Sequence, residues 1–213
     1  MNIWDLEYTK YNKIPSSKTY RPSSSLREFL NKYKFENAKI LDIGCGNGRN
    51  SIYCLNNGFN KAVGVDISSV AVDIAKKYSG ELGLDLKAKY YTHSLDTKLP
   101  EKDYSFDLIL DMTTSHLFND IQYTNYIKEI QRLIKSNGYI LIYTIVDSMI
   151  DGKRIDKVEI DNDIFIQYYF RDISKDIENT KLEIIEKEIY QANRIINNIS
   201  YSRKYMRLVI HSK

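Results

Sequence analysis

The stretch Lys39-Ile40-Leu41-Asp42-Ile43-Gly44-Cys45-Gly46-Asn47-Gly48 decides the fold. Its first half is a short apolar run, too brief for a helix and bounded by a turn signal, as in a strand buried on both faces. Its second half places glycine at positions 44, 46 and 48. Gly44 and Gly46 leave no side chain between the backbone and an approaching ligand, and they accept the positive φ that such a tight turn requires. SIYCLNNG (51–58) then gives a helix closing on Gly58. The unit is strand, glycine loop, helix.

Upstream of it, Leu26, Phe29, Leu30 and Tyr33 fall at i, i+3, i+4 and i+7, one buried helical face, with serines 23 to 25 after Pro22 available as a cap. Downstream, KAVGVDI (61–67) repeats the buried-strand pattern, and Ile67, Val70, Ala71, Ile74, Ala75 and Tyr78 form the stripe of the next helix. AKYYTHS (88–94) and FDLILDM (106–112) are further strands. Ile127, Ile130, Leu133 and Ile134 mark another buried helical face, and YILIYTI (139–145) follows the turn at Asn137 and Gly138. This alternation predicts an α/β fold: a Rossmann-like, doubly wound, seven-stranded and mostly parallel sheet. Beyond residue 147 the pattern changes to a polar stretch through Asp163, which the spacing leaves open as a pocket wall or a loop. IFIQYYF (164–170) follows it, and IIEKEIYQ (184–191) and KYMRLVIHS (204–212) are expected to pair antiparallel at the end of the sheet.

With 213 residues the chain fits one elaborated domain better than two. Its 43% apolar and 28% charged content excludes collagen-like, low-complexity and wholly disordered classes. A net charge of +3 allows a nucleic-acid partner without implying one. Two cysteines, Cys45 and Cys54, make no disulfide scaffold, and His93, His116 and His211 lack metal-ligand spacing, so no metal is expected and the cytoplasm is the default compartment. The opening MNIWDLEYTK has charges where an apolar signal core would be needed, and no apolar run is long enough to span a membrane.

In an open parallel sheet, ligands bind beyond the carboxyl ends of the strands where their order reverses. Asp42, just before the glycine loop, puts a carboxylate there. That charge is unfavourable beside a pyrophosphate but suits an amine or, through water, a sulfonium. Asp66 ends the second strand 22 residues after Gly44, near the spacing of a ribose-binding acid, and Ile67 next to it can lie against a purine. Each part alone has a plainer reading, as a turn or a helix cap. Their combination points to a nucleoside site. A nicotinamide dinucleotide fits poorly, because the third glycine comes one place early for G-x-G-x-x-G and Asp42 precedes the loop.

These motifs resemble those of the class I S-adenosylmethionine-dependent methyltransferases. ILDIGCGNG is similar to the first family motif, VGVDIS to the second, LPEKDYSFDLIL to the approach to the fourth strand and LIKSNGYILI to the turn into the fifth. Trp4, Asp5 and Tyr8, ahead of LDIGCGNGRNSIY, resemble the tellurite-resistance and thiopurine methyltransferase-like branch. The resemblance implies that Asp42, Gly44, Cys45 and Gly46 line the methionine end of S-adenosylmethionine, that Asp66 holds its ribose, and that Ile67 packs on adenine. Ser94, Leu95 and Asp96 compete for the adenine amine, with Asp96 one place off the family spacing. Asp111 would face the transfer site. The domain then divides into a helical lid or cap (1–35) that carries Trp4, Tyr8 and Tyr11, a cofactor-binding core (36–147), and an acceptor-side loop with the terminal strand pair (148–213).

The implied reaction is in-line displacement of a methyl group onto a small-molecule acceptor, leaving S-adenosylhomocysteine. A general base is needed only where the acceptor must lose a proton, and His116 is the candidate because an unperturbed imidazole titrates near neutrality. His93 and His211 read as structural or exposed. Asp111-Met112-Thr113-Thr114 lacks the prolines of enzymes that methylate exocyclic base nitrogens. The alternatives are an RNA or protein methyltransferase and a non-catalytic module that binds the same nucleoside.

Overall fold

The structure is a computed structural model that describes residues 2–11, 14–161, 164–178 and 180–213. Met1, Asn12, Lys13, Asn162, Asp163 and Asn179 lie outside the described residues. Five parallel strands form the centre of the sheet: β1 (Ala38–Ile43), β2 (Phe59–Asp66), β3 (Ala88–Thr92), β4 (Phe106–Met112) and β5 (Ile134–Ile150). A short strand, β6 (Lys153–Arg154), folds back on β5, and a separate ribbon is made by β7 (Lys157–Asp161) and β8 (Ile164–Gln167). The sheet is completed by β9 (Leu182–Ile196) and β10 (Ile199–Ser212), giving the order β3-β2-β1-β4-β5-β10-β9. β10 runs antiparallel to both β5 and β9, as expected of the terminal pair.

β1 lies between β2 and β4, with Ile40 opposite both Ala62 and Leu108. Neighbouring side chains along it therefore feed different layers. Leu41 and Ile43 join Ile109, Ile140 and Ile142 under the helix α5 (Asp120–Leu133), whose Tyr126 and Ile130 are fully buried. Ile40 joins Leu108, Leu110 and Leu141 under the helix α2 (Ser24–Lys32), through Leu26 and Phe29. The order reverses beside β1, so a crevice opens at the ends of β1 and β4.

Several local expectations shift. Ser23 stands at the N-cap position of α2 but makes no side-chain cap bond. The helix after the glycine loop, α3, covers Arg49–Leu55. In the next helix, α4 (Ser69–Glu81), the buried face is Ala71, Val72, Ala75 and Ser79, because Val72 and Ala75 must meet Tyr90 of β3. Ile67 precedes that helix and is 39% exposed. Ile134 is buried, but as the first residue of β5.

The polar stretch after residue 147 is largely strand rather than loop, since β5 continues to Ile150 and turns through Asp151 and Gly152 into β6. β9 and β10 also extend well past their apolar segments. Asn197 and Asn198 join them, both at positive φ, as a two-residue hairpin turn requires.

Candidate functional site

A cavity of about 990 Å³ lies over the carboxyl ends of the parallel strands. Its floor is the loop after β1. Gly44 has φ +66°, and a β-carbon there would stand 2.2 to 2.8 Å from the Thr114 side chain. Gly46 has φ +54°, and its β-carbon would stand 2.5 Å from the hydroxyl of Tyr8. The glycines are thus required both by the turn and by close approach from above and beside.

Asp66, at the end of β2, lines the same cavity and accepts from the backbone N–H groups of Gly46 and Ser68, at 2.9 Å each. Burial raises its pKa, and those two donors oppose the shift. Ile67, Ser94 and Leu95 also face the cavity. Asp96 does not. It is exposed, its carboxylate accepts from the Ser94 hydroxyl at 2.8 Å, and its carbonyl accepts from Asn125. His93, read from sequence as structural or exposed, is on the cavity wall.

Two aspartates expected at the ligand stand behind its wall. Asp42 is buried under the loop, with Oδ2 accepting from Ser51 N–H at 3.2 Å and Oδ1 without a partner among the described residues. Burial pushes its pKa up to about 7, against the pull of Arg49 and the Ser51 donors. Asp111 is turned inward, accepting from the N–H groups of Thr114 and Ser115 and from the Tyr126 hydroxyl. Met112, Thr113 and Thr114 form the cavity wall at that strand end instead, because Asp111 is used to fix the turn that carries them.

The amino-terminal segment covers this floor. It starts with α1 (Ile3–Leu6), passes directly into a π-turn at Glu7–Tyr11, and is anchored at both ends. Asn2 donates to the Ile67 carbonyl at 2.9 Å, and Asp5 accepts from the Ser68 hydroxyl at 2.8 Å at the head of α4. Further on, Asn47 donates to the Thr19 carbonyl and Arg49 to that of Arg21. Trp4 and Tyr8 face the cavity. Tyr11 is not among the residues lining the cavity and packs, with Ile3, Trp4 and Ile14, against the cluster of Ile145, Ile166 and Tyr168. The Tyr8 hydroxyl has its pKa raised by burial and by the nearby Asp66 and Cys45.

The far wall comes from elements whose reach the sequence did not disclose: Tyr143 and Ile145 of β5, Ile166 and Tyr168 around β8, and Arg194, Tyr201, Arg203 and Tyr205 of the long hairpin. Regular alternation along β9 and β10 was the available signal. It was hidden by polar residues on a strand that is solvated on one side. His116 is buried here, its Nδ1 3.4 Å from the Thr144 hydroxyl and its ring edge-on to Tyr168 at 5.1 Å. Burial, assisted by the charge of Arg203, pushes its pKa down to about 3. His116 therefore does not titrate near neutrality, as a general base chosen on that ground would. The ring is a neutral hydrogen-bonding group at physiological pH.

A strand order reversing beside β1, a glycine floor and a strand-end carboxylate on β2 are the features expected from the resemblance to class I, S-adenosylmethionine-dependent methyltransferases. Residues 40–138 match the family described as a methyltransferase domain. Among curated proteins, the chain is 29% identical over 119 residues to the ubiquinone biosynthesis O-methyltransferase of Bartonella quintana, covering 56% of this chain and 46% of that one. It is 27% identical over 124 residues to the ribosomal protein L11 methyltransferase of Dictyoglomus turgidum, covering 58% and 38%. The chain spans less than half the length of these relatives. The structure of the PH0226 protein from Pyrococcus horikoshii superposes with a TM-score of 0.68 at 20% identity, covering 95% of this chain and 98% of that one, which shows the shared fold.

The cofactor of this class is S-adenosylmethionine, with S-adenosylhomocysteine as product. The residues present fit it: a glycine floor without room for a β-carbon, and beneath that floor a buried carboxylate oxygen, Oδ1 of Asp42, that lacks a partner among the described residues. Among the described residues, no helix is long and apolar enough to cross a membrane.

Proposed function

We propose that this protein transfers a methyl group from S-adenosylmethionine to a small-molecule acceptor. The observation that carries the acceptor class is the shape of the cavity, roofed by Trp4 and Tyr8 and walled by the β9–β10 hairpin. Its volume of about 990 Å³ suits small ligands, which generally occupy concave sites of about 300 to 1,000 Å³.

When bound, the cofactor supplies a methyl group on a positively charged sulfur, already activated for in-line displacement. In this reading Gly44, Cys45 and Gly46 receive the methionine end, Asp66 accepts from the ribose hydroxyls, and Ile67, Ser94 and Leu95 border the base. Asp42 acts from beneath the loop through its charge. Trp4 and Tyr8 exclude water, and the segment that carries them is the lid. The remaining task of the chain is orientation, which can contribute roughly 7 to 11 kcal/mol to lowering a barrier. His116 is a neutral partner that positions the acceptor. The two buried thiols, Cys45 and Cys54, favour a reducing compartment, and we place the protein in the cytoplasm.

The ribosomal protein L11 methyltransferases among the relatives keep a protein acceptor in view as the second reading. Incubation with S-adenosylmethionine and separate panels of small metabolites, ribosomal proteins and RNA distinguishes them. Release of S-adenosylhomocysteine with a small acceptor, insensitive to salt between 50 and 200 mM on the scale of polyelectrolyte binding, is expected. Turnover with macromolecules alone would reject the small-molecule assignment. Tight nucleoside binding without turnover on any panel would favour the non-catalytic module.

A further inference from the structure

Five arginines are buried or half-buried, and four of them donate to at least one acceptor of the protein itself. Arg49 donates to the Arg21 carbonyl. Arg132 pairs with Glu129 and Asp103, Arg171 with Asp120, and Arg207 with Glu186 and Glu188. Arg203 is the exception. It lines the cavity, half-buried, yet makes no hydrogen bond or ion pair with any described residue. Its described interactions are a guanidinium carbon 5.9 Å from the Tyr168 ring centre and its electrostatic effect on His116.

The residues paired with Arg203 in the sheet do not compensate it; the acid among the other cavity residues on that side, Glu159, makes no hydrogen bond or ion pair with it. In register it stands across from Ser148 of β5 and Ala192 of β9, both uncharged. The nearest acid in sequence across the ladder, Asp147, is already engaged by Arg154 and Lys204. Arg194, two pairs along the hairpin, adds a second positive charge to the same wall. A guanidinium carries five donors in a rigid fork suited to a bidentate oxyanion. Leaving it partly desolvated and unpaired is costly unless a ligand supplies the anion.

Resting on the methyltransferase reading of this cavity, we infer that the methyl acceptor carries an oxyanion, a carboxylate or a phosphate, on a flat body, with Arg203 gripping the oxyanion between the tyrosines of the far wall. Tyr168 and Tyr205 supply the apolar faces for that body. The arginine is a specificity-determining residue, and neutral isosteres of the acceptor are discriminated against because they cannot satisfy the fork.

The test uses the full chain loaded with S-adenosylhomocysteine. Benzoate, 4-hydroxybenzoate and phenyl phosphate are the anionic probes, benzamide and 4-hydroxybenzamide the neutral ones, and binding is read by ligand-detected NMR. At least one anion is expected to bind at least tenfold more tightly than the amides. Arg203→Gln should erase that preference and Arg203→Lys should keep part of it. Whether benzoates or phenyl phosphate bind better identifies the oxyanion. The melting temperature of Arg203→Gln without ligand should equal or exceed that of the parent, since the guanidinium makes no hydrogen bond or ion pair with a described residue. Equal binding of acids and amides, no binding by any anion, or an unchanged preference in Arg203→Gln would overturn the inference. Failure of the parent protein to bind S-adenosylhomocysteine would instead overturn the methyltransferase reading.

Discussion

The carboxylate of Asp66 accepts the backbone N–H of Gly46 at 2.9 Å, so the acid at the end of one strand is tied to the glycine loop of its neighbour. One side chain thereby shapes the loop and presents charge to the same cavity. Asp66→Ala removes both contributions. Since hydrogen bonds to charged groups are worth about 1.5 to 3 kcal/mol, S-adenosylhomocysteine should bind roughly 10- to 100-fold more weakly by calorimetry, with the melting transition still cooperative. Parent-level affinity would take Asp66 out of the site.

Tyr8 and Gly46 are a testable pair. Alanine at 46 adds a β-carbon 2.5 Å from the phenol oxygen and forces a left-handed backbone on a residue that pays about 1 to 2 kcal/mol for it. Gly46→Ala should weaken nucleoside binding about tenfold, and the double variant with Tyr8→Ala should recover the steric part but not the backbone part. Gly44→Ala should be worse, because the atoms it meets extend back to the β-carbon of Thr114 at 2.8 Å. Melting temperatures of the three proteins rank these effects.

Asp42 gives a pH signature of defined sign. Its folded pKa, near 7, lies above the 3.8 of an unperturbed aspartate, so the native state holds a proton that the unfolded chain has lost. Stability from this group is therefore fully present below about pH 4 and is lost as pH rises through 7. At about 1.4 kcal/mol per pH unit the loss is on the order of 4 kcal/mol. Asp42→Asn should remove this slope and be the more stable protein at pH 8 by urea denaturation, while binding the cationic cofactor less well. An unchanged slope in Asp42→Asn would show that the carboxylate is ionised in the fold.

For His116 the expected result is an absence. With its pKa pushed down to about 3, turnover should show no inflection from this ring between pH 5 and 8. The profiles of the parent and of His116→Asn should have the same shape, even where the variant is slower. An inflection near pH 6.5 present in the parent and missing from His116→Asn would restore the ring as a base.

The sheet core was legible because it depends on local pattern. Ile40, Leu41 and Ile43 announce a strand by run length, the glycines announce the turn, and strands buried on both faces leave an uninterrupted apolar signature. The presence of an acid on the cavity was legible for the same reason, as Asp66 ends such a run at a characteristic spacing. Asp111 shows the limit. It ends an equally clear strand, yet its carboxylate is taken up by Thr114, Ser115 and Tyr126. Nothing in the spacing distinguishes an acid that faces a ligand from one that fixes its own turn.

The sequence by itself determined the element order and the glycine floor, consequences of period and of residues close together in the chain, while the cofactor class is what its resemblance to a methyltransferase family implies. Tertiary structure decided what surrounds that floor: that Tyr8 stands over Gly46, that His116 is held neutral, and that Arg203 faces the cavity uncompensated. These depend on burial and on contacts between segments as far apart as Asp5 and Ser68 or His116 and Arg203. Desolvation and charge pairing act through space, so a one-dimensional pattern carries no record of them.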